Sequence, residues 1–413
     1  MARGGLLRNR DFRLLWGGET ISELGSQVSL LAIPLVAVNT LAATPFQMGA
    51  LAAVSTAAFL VIGLPAGVWV DRLRRRRVMI ASDLGRILAL GSIPVAYALG
   101  ALHLPQLYIV ALASGVFTVF FDVAYQSYLP SLVGRQHLVE GNAKLTGSQQ
   151  VAQVAGPSLA GGLVQAVGGP YAVALDAASF LVSAVAVGAI RTDEPVPTVP
   201  KDGHPSLRHD IGQGLRFVFG DRLLRAITAT TGTSNFFSGI QTAVEVIFLV
   251  KVVHAKPVVI GLLFAAGGVG GVFAAFLASP IARWVGGARA TLISSFAVAA
   301  GLLIPLATPG AGVLFFGAGL FLSSFAVVVY NINQVSFRQR LCPDGMLGRM
   351  NATIRFVVYG ILPIGAIVGG AIGTAIGLRP TLWVAVSGEA LAGIWLLASP
   401  IRHMKDFPAN RYE

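Results

Sequence analysis

The chain has 413 residues, 55% of them hydrophobic and only 12% charged, with a formal net charge of +12 and a mean hydropathy of +0.74. A soluble domain carries roughly a quarter charged residues, and one soluble core stops growing near about 250–300 residues. The apolar surplus must therefore face lipid, and the basic excess follows membrane topology rather than a nucleic-acid patch.

Apolar runs of about 20 residues, the length that crosses a bilayer, predict twelve spans. They lie near 13–39, 46–70, 77–100, 105–129, 142–166, 170–190, 222–250, 257–282, 288–307, 310–335, 347–376 and 379–400. The longer ones call for tilt or extension beyond the hydrocarbon. The leading RGGLLRNRDFR resembles the start of a signal peptide, but the run behind it is long, is interrupted by Glu19 and Glu23 and lacks a clear cleavage site. An uncleaved first span is expected. With both termini inside, only Lys251, Lys256 and Arg379 of the 30 Lys and Arg fall on or near outside loops. That is the positive-inside bias, so no nucleic-acid partner is expected.

Ionisable residues inside spans cost roughly 2.5–3.5 kcal/mol each on insertion scales and mark pathways or paired sites. Glu19 and Glu23 lie one turn apart on the first span. At 1.5 Å per residue, Glu23 reaches about 15 Å into the membrane, near its midplane. Taking a carboxylate out of water favours its protonated form, which makes Glu23 the leading proton-coupling candidate, with Glu19 and Asp122 beside it. Glu19 has a plainer reading as a partner of arginines at the inner surface.

The second span runs into GVWVDRLRRRRVM, residues 67–79. A basic stop accounts for the arginines but not for Asp71 at the end of an apolar run. Here the chain resembles the major facilitator superfamily, whose motif between helices 2 and 3 runs Gly-x-x-x-Asp-Arg-x-Gly-Arg-Arg/Lys. Gly67, Asp71, Arg72, Arg75 and Arg76 match it, and Arg74 stands where glycine is usual. A degraded second copy, SPIARWVGGAR, carries Arg283 at the aspartate position. The resemblance implies a cytoplasmic gate of Gly67, Asp71, Arg72, Arg75 and Arg76, with Asp122 expected opposite Arg72 or Arg76 and Arg355 as a further member. It also implies a cavity lined from spans one, four, seven and ten. The candidates there are Gln27, Phe117, Phe121, Tyr125, Asn235, Gln241, Phe325, Tyr330 and Asn333, although phenylalanines on such helices more often pack in the core or face lipid.

Asp83 and Arg86 open the third span at i and i+3 and read as a local ion pair, or with Arg86 reaching toward a cavity carboxylate instead. Asp176 and Glu245 sit toward the outer ends of spans six and seven, and Glu389 in the last span reads as a packing or interface residue. Span five contains QQVAQVAGPSLAGG, which resembles the superfamily's exporter motif Gly-x-x-x-Gly-Pro-x-x-Gly-Gly through Gly156, Pro157 and Gly161, with Ala152 and Ala160 in place of two glycines. Ala152, Gly156 and Ala160 form a stripe that lets a neighbouring helix approach, and Pro157 allows a kink. The site reads as a close-packing hinge.

Residues 191–221, rich in proline and charge, divide the spans six and six. Leu207, Ile211, Leu215 and Val218 predict an amphipathic helix there. Sliding one half over the other at an offset of 212 puts Arg10 on Arg222 and Ser22 on Ser234. An offset of 209 puts Gly156 on Gly365 and Gly161 on Gly370. An even number of spans between the copies means parallel repeats, a mark of one class of secondary transporter. The expected organisation is a bundle at 1–190, a linker at 191–221 and a second bundle with a short tail at 222–413.

GGVGGVF (267–273) lacks the last glycine of a dinucleotide fingerprint and suits helix packing instead. The histidines show no metal-ligand spacing, there is no ATP-binding loop, and Cys342 has no thiol partner in the chain. No enzyme activity, cofactor or metal is expected. The stretches FRLLWGGETISELGSQVSLLAIPL, FDVAYQSYLPSLV, LDAASFLVSA and GRMNATIRF resemble bacterial drug and siderophore exporters of the macrolide-efflux and enterobactin-exporter type. The expectation is an all-α integral membrane protein of twelve helices in two parallel bundles. It would be a monomer in a bacterial plasma membrane, exchanging protons for small amphipathic molecules. Uptake, lipid flipping or a non-transporting sensor on the same fold are the alternatives.

Overall fold

The computed structural model describes residues 6–70, 72–134, 137–192, 194, 207–341 and 347–407. Among them there is no strand. The helices are α1 (Arg10–Asn39), α2 (Pro45–Val70), α3 (Arg75–Ala98), α4 (Leu104–Val133), α5 (Leu138–Val167), α6 (Gly169–Gly188), α7 (Leu207–Gly220), α8 (Arg222–Lys251), α9 (Pro257–Val285), α10 (Gly287–Ala297), α11 (Val313–Leu341), α12 (Leu347–Gly360), α13 (Leu362–Ile376), α14 (Leu378–Leu391) and α15 (Ile394–Leu397). Eleven helical segments among the described residues are long and apolar enough to cross a membrane. The remaining predicted span, span five, is α5, which has the length at 30 residues, but Glu140, Lys144 and four glutamines dilute its apolar character.

The internal repeat is written in the helix boundaries. Adding 212 to the limits of α1 gives those of α8, and adding it to Pro45 and Arg75 gives the first residues of α9 and α10. Adding 209 to α5 and α6 gives the start of α12 and end of α13, then the start of α14 and end of α15. The caps repeat too. Asn9 accepts from the amides of Asp11 and Phe12, and Asp221 from those of Leu223 and Leu224, each satisfying donors that a helix start leaves bare. Left-handed backbone recurs at Ala42 and His254, and at Gly168 and Gly377.

Three predicted spans are not single helices. Span nine is α10 followed by a 3-10 segment, Val298–Leu306, that contains Pro305. Span eleven breaks at Ile361 between α12 and α13, because Pro363 lacks an N–H and disfavours helical backbone before it. Span twelve turns at Ala392–Gly393. By contrast α5 runs unbroken through Pro157. Of the amphipathic helix α7, Val218 is fully buried against Leu223, Leu224 and Ile227.

The chain forms two compact units: Met1–Ala43 with Val54–Lys201 and Lys256–Ala265, and Thr44–Ala53 with Asp202–Ala255 and Ala266–Glu413. In the first, α1 packs on α5 and α6, and α3 on α4 and α6. In the second, α8 packs on α13 and α14, while α10 and its 3-10 extension pack on α11 and α14. Glycines set the closest approaches. A Cβ at Gly161 of α5 would meet the backbone of Val258 at 3.0 Å and of Gly261 at 3.1 Å on α9. In the second unit the repeat-related pair does the same: a Cβ at Gly370 of α13 would lie 3.1 Å from the Cα of Gly49 on α2. Gly270 of α9 meets the backbone of Phe321 on α11.

A side chain at Gly161 has no room because its neighbours are backbone, so Gly161→Val should destabilise by about 1–3 kcal/mol, the usual cost of overpacking. Gly162 has nothing within 4 Å of its Cβ position. The melting temperature of purified protein in detergent should therefore fall for Gly161→Val and stay near wild type for Gly162→Val.

Candidate functional site

The first unit carries its acids in one place. Arg86 of α3 is 5% exposed, and its Nη2 donates to Asp83 Oδ1 at 2.5 Å, one helical turn back. Its guanidinium stacks between two rings, 3.9 Å from the centroid of Phe180 on α6 and 4.5 Å from that of Phe121 on α4. Stacking of this kind keeps a delocalised cation stable when water is removed. Four further carboxylates lie within reach of its charge: Glu19 and Glu23 on α1, Asp122 on α4 and Asp176 on α6. Five acids thus share one guanidinium, and Glu19 Oε2 and Arg86 Nε are buried without a hydrogen-bond partner.

Local packing explains how each acid is held. Gln27 Nε2 donates to Glu23 Oε1 at 3.3 Å, one turn along α1. The side chain of Gln27 occupies the space a Cβ on Gly156 would need. The exporter-motif glycine therefore makes room for a polar side chain. In the second unit the same crossing pairs Gly239 with Gly365 backbone to backbone, where a Cβ on Gly239 would lie 3.1 Å from the Cα of Gly365. Asp176 is 1% exposed; its Oδ1 accepts from Ser179 Oγ at 3.3 Å and abuts Gly25 of α1, where a Cβ would meet it at 2.6 Å. Tyr125, buried beside Phe121 at a centroid distance of 6.2 Å, completes the wall.

The basic motif does a different task. Arg76 Nε donates to Val187 O at 3.0 Å and its Nη2 to Gly188 O, placing a cation on the C-terminal carbonyls of α6, where the helix dipole favours it. The amides of Arg75 and Arg76 donate to Glu194 at 2.6 and 3.3 Å, so Glu194 caps α3. Asp11 accepts from Thr192 N at 2.9 Å and Thr192 Oγ1 at 2.7 Å. No ion pair joins Asp122 to Arg72 or Arg76, contrary to the expected pairing, because Asp122 belongs to the Arg86 cluster and Arg76 is committed to α6. Arg72 is exposed, and Gly67 lies within α2. Asp71 and Cys342 lie outside the described residues.

Of the other predicted cavity residues, Asn235 and Tyr330 line one small cavity in the second unit. The ring of Phe117 sits over Gly85 at one end of an apolar groove between α3 and α4 that includes Leu88 and Ile109. Asn235 donates to Val358 O at 2.8 Å and Tyr330 shares a 2.8 Å hydrogen bond with Thr231, both in the second unit. Gln241 donates to Glu245 at 3.1 Å. Phe325 packs against Ala274, Ala278 and Val329, Asn333 bonds Val329 O at 2.8 Å, and Arg355 is exposed on α12. The i, i+3 spacing of Asp83 and Arg86 reads as a local pair or as Arg86 reaching toward a cavity carboxylate, and Phe180 looks like any other ring on an apolar helix. The spacing of the acids gives no signal that one arginine serves five of them. Among the described residues, no cluster of His, Cys, Asp or Glu could hold a metal ion.

A multi-pass helical protein built from two parallel repeats, with charged groups held at membrane depth, is a membrane transport protein. The family model described as Major Facilitator Superfamily matches residues 15–364, and the chain belongs to that superfamily: it is a transporter and not an enzyme. It is similar to the multidrug efflux pump Tap of Mycolicibacterium fortuitum, 25% identical over 86% of this chain and 88% of that one. It is also similar to the enterobactin exporter EntS of Salmonella typhimurium, 26% identical over 94% and 91%. The crystal structure of the nucleoside transporter NupG shares the fold, with a TM-score of 0.76 at 10% identity over 94% of this chain and 98% of that one.

A methyl group at Gly156 must displace Gln27. Gly156→Ala should therefore lower the melting temperature, and the loss should be smaller when Gln27→Gly removes the Cβ that occupies the same space, giving a coupling energy of about 0.5–3 kcal/mol in a double-mutant cycle. Additive effects of the two changes would contradict this packing.

Proposed function

We propose that the chain exports small amphipathic organic molecules in exchange for protons. The observation that carries this reading is the cluster of five carboxylates around Arg86, of which Glu19, Asp83 and Asp176 are buried and Glu23 and Asp122 partly buried. Ionised carboxylates at membrane depth are expensive unless paired, and one guanidinium cannot neutralise five of them. Their charge must change with protons taken up from water or with a cationic group brought by the substrate. Glu23 is the acid assigned to the proton, since it stands near the midplane and the hydrogen bond it accepts from Gln27 is long. Protonation that alters substrate affinity is by linkage matched by substrate that alters proton affinity, which is the requirement for exchange.

Outward transport is favoured by two relatives whose names describe an efflux pump and an exporter, and by the resemblance of Gly156, Pro157 and Gly161 to the exporter motif. Bundles 1–190 and 222–413 move about the linker 191–221. The motif Gly67, Asp71, Arg72, Arg75 and Arg76, with Arg355 on α12, closes the cytoplasmic side in one state. The chain functions in a bacterial plasma membrane with both termini inside.

In cells or proteoliposomes, efflux of a cationic dye or antibiotic should stop when a protonophore collapses the gradient. Glu23→Gln should reduce gradient-driven efflux at least tenfold while leaving the protein folded; undiminished efflux by that variant removes Glu23 from the coupling. The orientation has a separate check. Cys342, the single thiol, should resist a membrane-impermeant maleimide in intact cells and react once they are permeabilised.

A further inference from the structure

The repeat maps the acid cluster of the first unit onto a second place in the molecule. At the offset of 212, Glu19, Glu23, Asp83 and Arg86 correspond to Thr231, Asn235, Ser295 and Val298. At 209, Phe121, Asp122 and Phe180 correspond to Tyr330, Asn331 and Glu389. All seven of these residues line a single small cavity of about 40 Å³ in the second unit, between α8, α10 with its 3-10 extension, α11 and α14. All seven positions differ: four acids become the neutral Thr231, Asn235, Ser295 and Asn331, Phe121 becomes Tyr330, and two further exchanges reverse the charge pattern. The cation is gone, because Val298 stands where Arg86 stands, and a carboxylate has arrived, because Glu389 replaces the ring of Phe180 that stacks on it. The space that holds a guanidinium in one unit is a polar cavity beside an acid in the other.

We propose that this cavity binds a small monovalent metal cation, with Glu389 as its charged ligand. The chemistry of the lining is that of an oxygen site. Ser295 Oγ donates to Leu292 O at 2.7 Å, which leaves its lone pairs for the cavity, and Thr231 Oγ1, 2.9 Å from Ile227 O and 2.8 Å from Tyr330 Oη, keeps one lone pair after donating to the first and accepting from the second. Asn235 uses its Nδ2 on Val358 O, which leaves Oδ1 to accept. Thr230, 2% exposed, lines the same cavity, and its buried Oγ1 has no hydrogen-bond partner. No Lys, Arg or His lines the cavity, and among the described residues the other charge acting on Glu389 is the acid Glu245. Glu389 is partly buried, and a carboxylate withdrawn from water is normally paired or bound to a metal. The volume suits one or two water-sized species, and a single carboxylate with neutral oxygens matches an ion of charge one.

The test is the thermal unfolding of the purified full-length protein, titrated with sodium or potassium chloride against choline chloride at constant ionic strength. The wild-type melting temperature should rise saturably with sodium or potassium and not with choline. Glu389→Gln should abolish the rise, and Thr230→Val should raise the half-saturating concentration by about tenfold, the loss of one ligand worth roughly 1.4 kcal/mol. Glu23→Gln, in the other unit, should leave it unchanged, which separates this site from the proposed proton exchange. A wild type that responds to neither metal ion, or equally to choline, overturns the proposal and leaves a proton as the occupant of Glu389. A response that both Glu389→Gln and Thr230→Val retain overturns it as well. Should Glu389→Gln fail to fold, the Thr230→Val shift decides alone.

Discussion

The first unit is organised around one buried cation. Arg86 is held by an ion pair to Asp83 and by the faces of Phe121 and Phe180, so its position is set by three helices at once. The guanidinium is what makes it tolerable for α1, α4 and α6 to carry carboxylates at membrane depth. Among the described residues, no other cation acts on Glu19, Asp122 or Asp176. Most of what the unit can do with protons or cationic substrates depends on that imbalance of one against five.

The glycines serve this cluster indirectly. Gly25 lets Asp176 come up against α1, and Gly156 lets Gln27 stay between α1 and α5 and reach Glu23. At the repeat-related crossing, Gly239 replaces glutamine and meets Gly365 directly, so α8 and α13 lie backbone to backbone. One residue difference in a repeat thus decides whether a helix crossing is a dry contact or part of a polar site. The same reasoning applies to Val298 and Glu389, which remove a cation and add an acid on a repeated backbone frame where four of the acids have become neutral.

The arginine-rich turn after α2 has a structural office of its own. Arg76 neutralises the end of α6, and Glu194 caps α3 through the amides of Arg75 and Arg76. Together with Asp11 on Thr192, these bonds tie the ends of α1, α3 and α6 into one collar.

The sequence by itself determined the membrane spans, the parallel repeat and the presence of ionisable residues inside the bilayer. Those follow from run length, from matches at fixed offset and from the cost of burying charge, all local or additive properties. It also marked Gly156 as a close-packing position, and α5 keeps its small-residue stripe buried at Ala152, Gly156 and Ala160. Only the tertiary structure decided which acids share Arg86, that Phe180 stacks on it, and that Asp122 faces this cluster instead of the arginine-rich turn. It also decided that α5 runs unbroken through Pro157 while the repeat copy breaks at Ile361. The reason is that helical periodicity gives the direction of a side chain around its own axis but not the partner it meets on another helix. That partner is fixed by which backbones approach and how closely. Here the approach is set by glycines whose neighbours, Asp176 for Gly25 and Gln27 for Gly156, lie on helices far away in the chain.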